Sequence, residues 1–217
     1  MNSDRHAHRA ATPTPARLQS PACALALLEA HRFVRAEDLP GTGAAARLAL
    51  ARAARRGELL RVAHGLYYKG VATRYGMSAP STEQIARQVL AASGTGPTSW
   101  SAAHSLGLTM QLPAELLLAV TGRPGGAVRG VRQSRRTNPR REPLRWLEIA
   151  VLELLRGDWE TTVDDGWEAL VDRVVILLQN NEIRIDVLAD AVDGERHRLL
   201  RENWARLWVD LSRGAGR

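Results

Sequence analysis

From Gly43 to Gly70 the sequence runs GAAARLALARAARRGELLRVAHGLYYKG, and this stretch restricts the fold more than any other. Ala, Leu and Arg are strong helix formers, so the spacing predicts a helix over Gly43 to Arg56, with the Thr42 oxygen as its cap and Gly57 as its stop. The following residues, Glu58 to Gly70, read as two short strands split at His64-Gly65. Glycine accepts positive φ freely and histidine more often than most residues, which suits a two-residue hairpin turn. Upstream, Ala24, Leu25, Leu27 and Leu28 recur at helical spacing and predict a first helix from Pro21 to about Arg32. A short second helix over Arg35 to Leu39 is expected to end at Pro40-Gly41, a pair that cannot continue it. The expected order is three helices and a hairpin.

The chain of 217 residues leaves room for a second unit beyond this one. Residues 1 to 20 have scattered charge and no apolar periodicity, so they read as a flexible tail, and its isolated His6 and His8 do not make a metal site. After a connector near residues 71 to 81, a helix is expected over Glu83 to Ala92, a short one over Ser99 to Leu106, and a buried strand over Glu115 to Arg123. A further strand is expected at Ala127 to Gln133. Helices are then predicted at Pro143 to Leu155, Asp165 to Gln179, Asp186 to Val192 and Arg196 to Leu211. Leu147, Val151, Leu154 and Leu155 mark the inner face expected of the first of these, and Leu170, Val174, Leu177 and Leu178 that of the second. The predicted division is therefore a tail over 1–20, one unit over 21–77 and another over 78–217, in an α+β chain that is mostly α and ends in a helical bundle.

Charge is unevenly spread. The net +7 comprises 12 Lys or Arg against 5 acids in residues 1–77, 9 against 3 in residues 78–145, and 9 against 15 in residues 146–217. The basic portions suggest a polyanionic partner, which the acidic end would repel. A single cysteine, Cys23, excludes an intramolecular disulfide, and no apolar run reaches the ~18 residues of a membrane span. The expectation is a soluble cytoplasmic protein with no membrane partner.

Catalytic chemistry finds little support, because the sequence has no phosphate-loop spacing, no metalloprotease motif, no cysteine cluster and no nucleophile elbow. Ser99, Ser101 and His104 are near neighbours, but such spacing on a short helix points to capping and packing. Asp164-Asp165 reads as a helix start, where acids suit the helix dipole. No metal site and no cofactor is expected.

Binding residues are easier to nominate. A helix with several arginines and no acid, held before a hairpin, is the arrangement by which a winged helix-turn-helix enters the major groove. With Leu48, Ala51 and Ala54 expected to pack inward, Arg47, Arg52, Arg55 and Arg56 would face operator DNA. Arg47 and Thr42 lie nearest the helix start, where recognition helices meet bases. Arg61, His64 and Lys69 on the hairpin would add backbone or minor-groove contacts. A second basic block comprises Arg129, Arg132, Arg135, Arg136, Arg140, Arg141 and Arg145, opposed only by Glu142. It reads either as a solvated loop or as a surface for nucleic acid or an acidic protein. Trp146, Trp159, Trp167, Trp204 and Trp208 crowd the C-terminal helices, and core packing is the simplest reading of them.

The run Gly43 to Gly70, with its wing-like GELLRVAHGLYYKG, resembles the N-terminal winged helix of AbiEi-type antitoxins of type IV toxin–antitoxin systems. The stretch GPTSWSAAHSLGLTMQLPAELLLAVTGRP, Gly96 to Pro124, is similar to the short helix and strand of that family's C-terminal antitoxin domain. The resemblance implies an antitoxin that neutralises a nucleotidyltransferase-like toxin and represses its own operon by binding promoter DNA, with self-association on that DNA. Two alternatives stay open. One is a transcriptional regulator whose second domain senses a ligand or dimerises; the other is an antitoxin that modifies its toxin enzymatically, for instance by phosphorylation.

Overall fold

The computed structural model describes residues 20–90 and 94–214. The tail read over 1–20, with His6 and His8, lies outside the described residues apart from Ser20, as does the end of the helix expected to reach Ala92. The chain divides into two compact units, Met1–Ser81 and Thr82–Arg217. Each contains helices and strands, so the class is mixed α+β.

In the first unit, helix α1 spans Pro21–Leu27, with Pro21 in its first turn and the Ser20 hydroxyl accepting the Cys23 N–H at 3.2 Å. It stops well short of Arg32. His31 turns into the left-handed region (φ 63), its N–H donates to the Lys69 carbonyl at 2.6 Å, and Arg32–Val34 form strand β1. The expected helix fails here because an aromatic and a β-branched residue, Phe33 and Val34, gain more by pairing with Tyr68 and Tyr67 than helical spacing offers. The second predicted helix contracts to a single 3-10 turn, Ala36–Asp38, whose start is tied by the Arg35 N–H donating to Asp38 Oδ2.

Helix α2 spans Gly43–Arg55, capped by Thr42 Oγ1 accepting the Ala45 N–H. Strands β2 (Leu60–Ala63) and β3 (Leu66–Lys69) follow, giving a three-stranded antiparallel sheet in the order β1-β3-β2. At the hairpin tip only Gly65 takes positive φ, whereas His64 does not. Ala63 pairs with Leu66 across His64-Gly65, so the expected two-residue turn closes the hairpin, and the register slips one step earlier, between Arg61 and Ala63, as a bulge in β2. Two short strands, β4 (Ala72–Thr73) and β5 (Gly76–Met77), complete the unit. Its core joins Leu25, Val34, Leu50, Ala53 and Leu59.

The second unit begins with α3 (Thr82–Leu90) and builds a sheet from β6 (Thr95–Pro97), β7 (Leu116–Thr121) and β8 (Val131–Arg136). β6 pairs antiparallel and β8 parallel with the central β7. Helix α4 (Trp100–Ser105) follows β6, and a 3-10 turn at Pro139–Arg141 follows β8. Helix α5 (Trp146–Glu153) is not amphipathic as expected. Its residues Trp146 and Glu148 to Glu153 are all buried, leaving only Leu147 partly exposed, because it runs through the middle of the unit. Gly96 permits this: a Cβ there would stand 2.5 Å from the Ile149 Cβ. A π-turn, Leu154–Asp158, hinges on Gly157 at φ 120 and leads to α6 (Trp159–Thr162). Helices α7 (Gly166–Gln179), α8 (Ile185–Asp193) and α9 (Arg198–Gly214) enclose the core with Leu170, Val174, Leu177, Leu188, Leu200 and Leu207.

Trp146 and Trp167 are buried, Trp159 and Trp204 partly so, and Trp208 is 48% exposed. Ser101 accepts the Leu117 N–H at 2.9 Å and so serves packing. Of the pair read as a helix start, Asp165 is the N-cap residue of α7, while the Asp164 carboxylate instead accepts from Thr109 Oγ1 and the Met110 N–H. Among the described residues, no helix is long and apolar enough to cross a membrane, and no cluster of His, Cys, Asp and Glu could hold a metal ion.

Candidate nucleic-acid interface

With roughly 100° of rotation per residue, the face of α2 that packs inward fixes the face that points out. Ala46, Leu50 and Ala53 are buried, not Leu48, Ala51 and Ala54. The packing face is displaced from the expected one, and Leu48 is 49% exposed. Alanine is small enough to be read as core or surface, which is why the periodicity pointed at the wrong arc. The arginines are unaffected by this correction: Arg47, Arg52, Arg55 and Arg56 are all exposed. Arg55 and Arg52 share the outward arc with Ala44, Leu48 and Ala51, and Arg47 stands at its edge. The Arg47 guanidinium folds back over the first turn, its terminal nitrogens 3.9 Å from where a Gly43 Cβ would lie.

The individual residues differ in what holds them. Arg56 is clasped by Glu58 at 2.6 and 2.9 Å, and their mutual hydrogen bond raises the pKa of the arginine and lowers that of the glutamate. The oxygen of Thr42 is occupied by the helix cap. Lys69 points the other way from the expected one. Its ammonium donates to the carbonyls of Leu25 and Ala26 at 3.3 and 3.5 Å, closing the C-terminal end of α1. Arg47, Arg52, Arg55, Arg61 and His64 remain exposed and form no ion pair among the described residues. Arg32 on β1 and Arg74 beside Tyr75 are exposed cations of this unit that the sequence pattern did not single out.

The second basic block is neither a loop nor one surface. Arg132, Arg135 and Arg136 lie on β8, and the block sorts by depth. Arg141 is fully buried and bridges two carboxylates, with Nη1 donating to Glu153 and Nε to Glu195, both at 2.5 Å. Arg136, largely buried, also donates to both Glu153 oxygens, as does Thr98 to one of them. Burial would raise the Glu153 pKa, but the Arg136 hydrogen bond and the charges of Arg141 and Arg136 outweigh it and hold the carboxyl at about 2. Arg140 pairs with Asp190 at 3.1 Å and Arg132 loosely with Glu115 at 3.9 Å. Arg129, Arg135 and Arg145 are exposed without an ion pair among the described residues. A second buried carboxylate, Glu148, is held by Arg184 and by the Arg145 N–H. Burial opposes its ionisation, yet those hydrogen bonds keep its pKa below the ordinary value.

The sequence carried a usable sign of this network. Glu148 and Glu153 interrupt an otherwise apolar run, WLEIAVLELL, and buried carboxylates require cationic partners. Arg156, Arg196 and His197, which approach the same place from distant segments, had no such sign. They line a cleft of about 630 Å³ together with Arg135, Arg136 and Glu195.

These features define a mixed α+β protein of two units, one displaying arginines on a helix and the other drawing arginines into its interior. The family of unknown function DUF6088 matches residues 27–141, more than half of the chain, and the chain belongs to that family. No curated protein matches it.

Proposed function

We propose that the first unit is a winged helix-turn-helix in which α1 and the 3-10 turn support α2 as the recognition helix and the β2-β3 hairpin is the wing. The observation that carries this reading is the acid-free outward face of α2, where Arg47, Arg52 and Arg55 are exposed and form no ion pair among the described residues. Such a face supplies phosphate affinity and, from the Arg47 end, contact with base edges. Arg61 and His64 at the hairpin extend the cationic surface, while Arg56, tied to Glu58, contributes less.

With the resemblance to AbiEi-type antitoxins, the reading extends to a cytoplasmic repressor of its own operon whose second unit neutralises a nucleotidyltransferase-like toxin. In this reading Arg136 and Arg141 hold the second unit together and do not contact the toxin. The test has two arms. The protein should bind duplex DNA from its own promoter more tightly than unrelated duplex, and lose that preference on Arg47→Ala. The adjacent reading frame, expressed alone, should arrest growth, and co-expression of this chain should restore it. Failure of the first arm removes the repressor, and failure of the second removes the antitoxin.

A further inference from the structure

The cleft of the second unit brings together the end of β8, the π-turn and the residues leading into α9. Four arginines line it: Arg135, Arg136, Arg156 and Arg196. Its one lining carboxylate, Glu195, is already engaged. One oxygen accepts from Arg141 Nε and Asn138 Nδ2 at 2.5 and 2.8 Å, and the other faces Arg156 at 3.6 Å. Arg136 is likewise satisfied by Glu153, whereas Arg135 and Arg196 are exposed and without an ion pair among the described residues.

His197 also lines the cleft. Its Nδ1 accepts the Leu200 N–H at 3.3 Å, so in the neutral ring the proton sits on Nε2. The same residue immediately precedes α9, a helix of 17 residues whose N-terminal end favours negative charge. Counting Arg141 and Glu153 behind the lining, five arginines stand against two carboxylates, so the cleft holds more positive charge than its carboxylates neutralise, and the Arg156 pKa is lowered, above all by burial.

We propose that this cleft binds a compact oligophosphate, such as the phosphate chain of a nucleotide. A volume of about 630 Å³ falls in the range of small-ligand sites. A long nucleic acid fits less well, because residues 146–217 carry 12 acidic residues that are not buried against 9 arginines, a balance that repels an extended polyanion. The site stands whether or not the first unit binds DNA.

Calorimetric titration of the full chain tests this with ATP, inorganic tripolyphosphate and adenosine as probes. ATP and tripolyphosphate should bind at one site and adenosine should not; tighter binding of ATP than of tripolyphosphate identifies a nucleotide, and equal binding identifies the phosphate chain alone. Arg135→Ala and Arg196→Ala, which disturb no internal ion pair, should each weaken binding by about tenfold. Arg132→Ala, outside the cleft, and Arg52→Ala, in the first unit, should leave it unchanged. Absence of binding by both phosphate probes, insensitivity to Arg135→Ala and Arg196→Ala, or tighter capture of a single-stranded oligonucleotide through the same arginines would overturn the assignment.

Discussion

Arginine is used in opposite ways by the two units. On α2 the guanidiniums of Arg47, Arg52 and Arg55 stand in solvent, while in the second unit those of Arg141 and Arg136 are drawn inside to neutralise Glu153 and Glu195. The same side chain is a solvent-exposed cation in one place and an internal strut in the other. What separates the two cases is the neighbourhood. α2 contains no acid, whereas the block after β8 leads directly into a buried helix that carries two.

The largest expected effect exploits that difference. Arg141→Met leaves two buried carboxylates short of their cation and should destabilise the protein by about 3–5 kcal/mol, read from the urea midpoint. Arg55→Ala should change the same midpoint by no more than about 0.5 kcal/mol. Equal effects would erase the distinction.

Acid should act on the second unit in the same way. The Glu153 pKa is depressed from an ordinary 4.5 to about 2, so its stabilising contribution is complete above the ordinary value and is lost as pH falls through the folded one. That contribution is about 3 kcal/mol. Urea unfolding of the wild type should therefore weaken steeply across that window, and Glu153→Gln should be less stable at neutral pH and flatter in acid. An unchanged pH slope in the variant would place the acid sensitivity elsewhere.

A smaller effect concerns the turn that presents Arg156. At φ 120, Gly157→Ala is strained whatever space surrounds it, and the new methyl would meet Leu199 Cδ2 at 2.7 Å. A loss of about 1–3 kcal/mol is expected, visible as a lowered thermal midpoint.

Much of the fold was legible where local chemistry and tertiary packing agree. Thr42, the Ala-Leu-Arg run and Gly57 delimit α2 almost to the residue, and the strand containing Leu116–Thr121 announces itself as an apolar run. Legibility failed where long-range pairing overrode spacing. Arg32–Val34 became a strand because β3 was there to receive it, and the Ala-rich α2 hid its true packing face because alanine carries little hydrophobic contrast. The exposed arginines of α2 could be nominated from sequence, since nothing nearby competes for them. The cleft could not, because Arg135, Arg156 and Arg196 meet only through the fold. Lys69 shows the converse error: a cation beside a wing reads as a DNA contact, yet it closes α1.

The central claim is that the outward arginines of α2 meet phosphates, and the salt dependence of duplex binding measures this most directly. Plotting log K against log salt for the wild type and for Arg52→Ala/Arg55→Ala, the slope should become shallower by about 1 for each arginine removed, with the urea midpoint unmoved. An identical slope in the two proteins would contradict the account, since it would mean that these arginines remain in solvent when DNA is present.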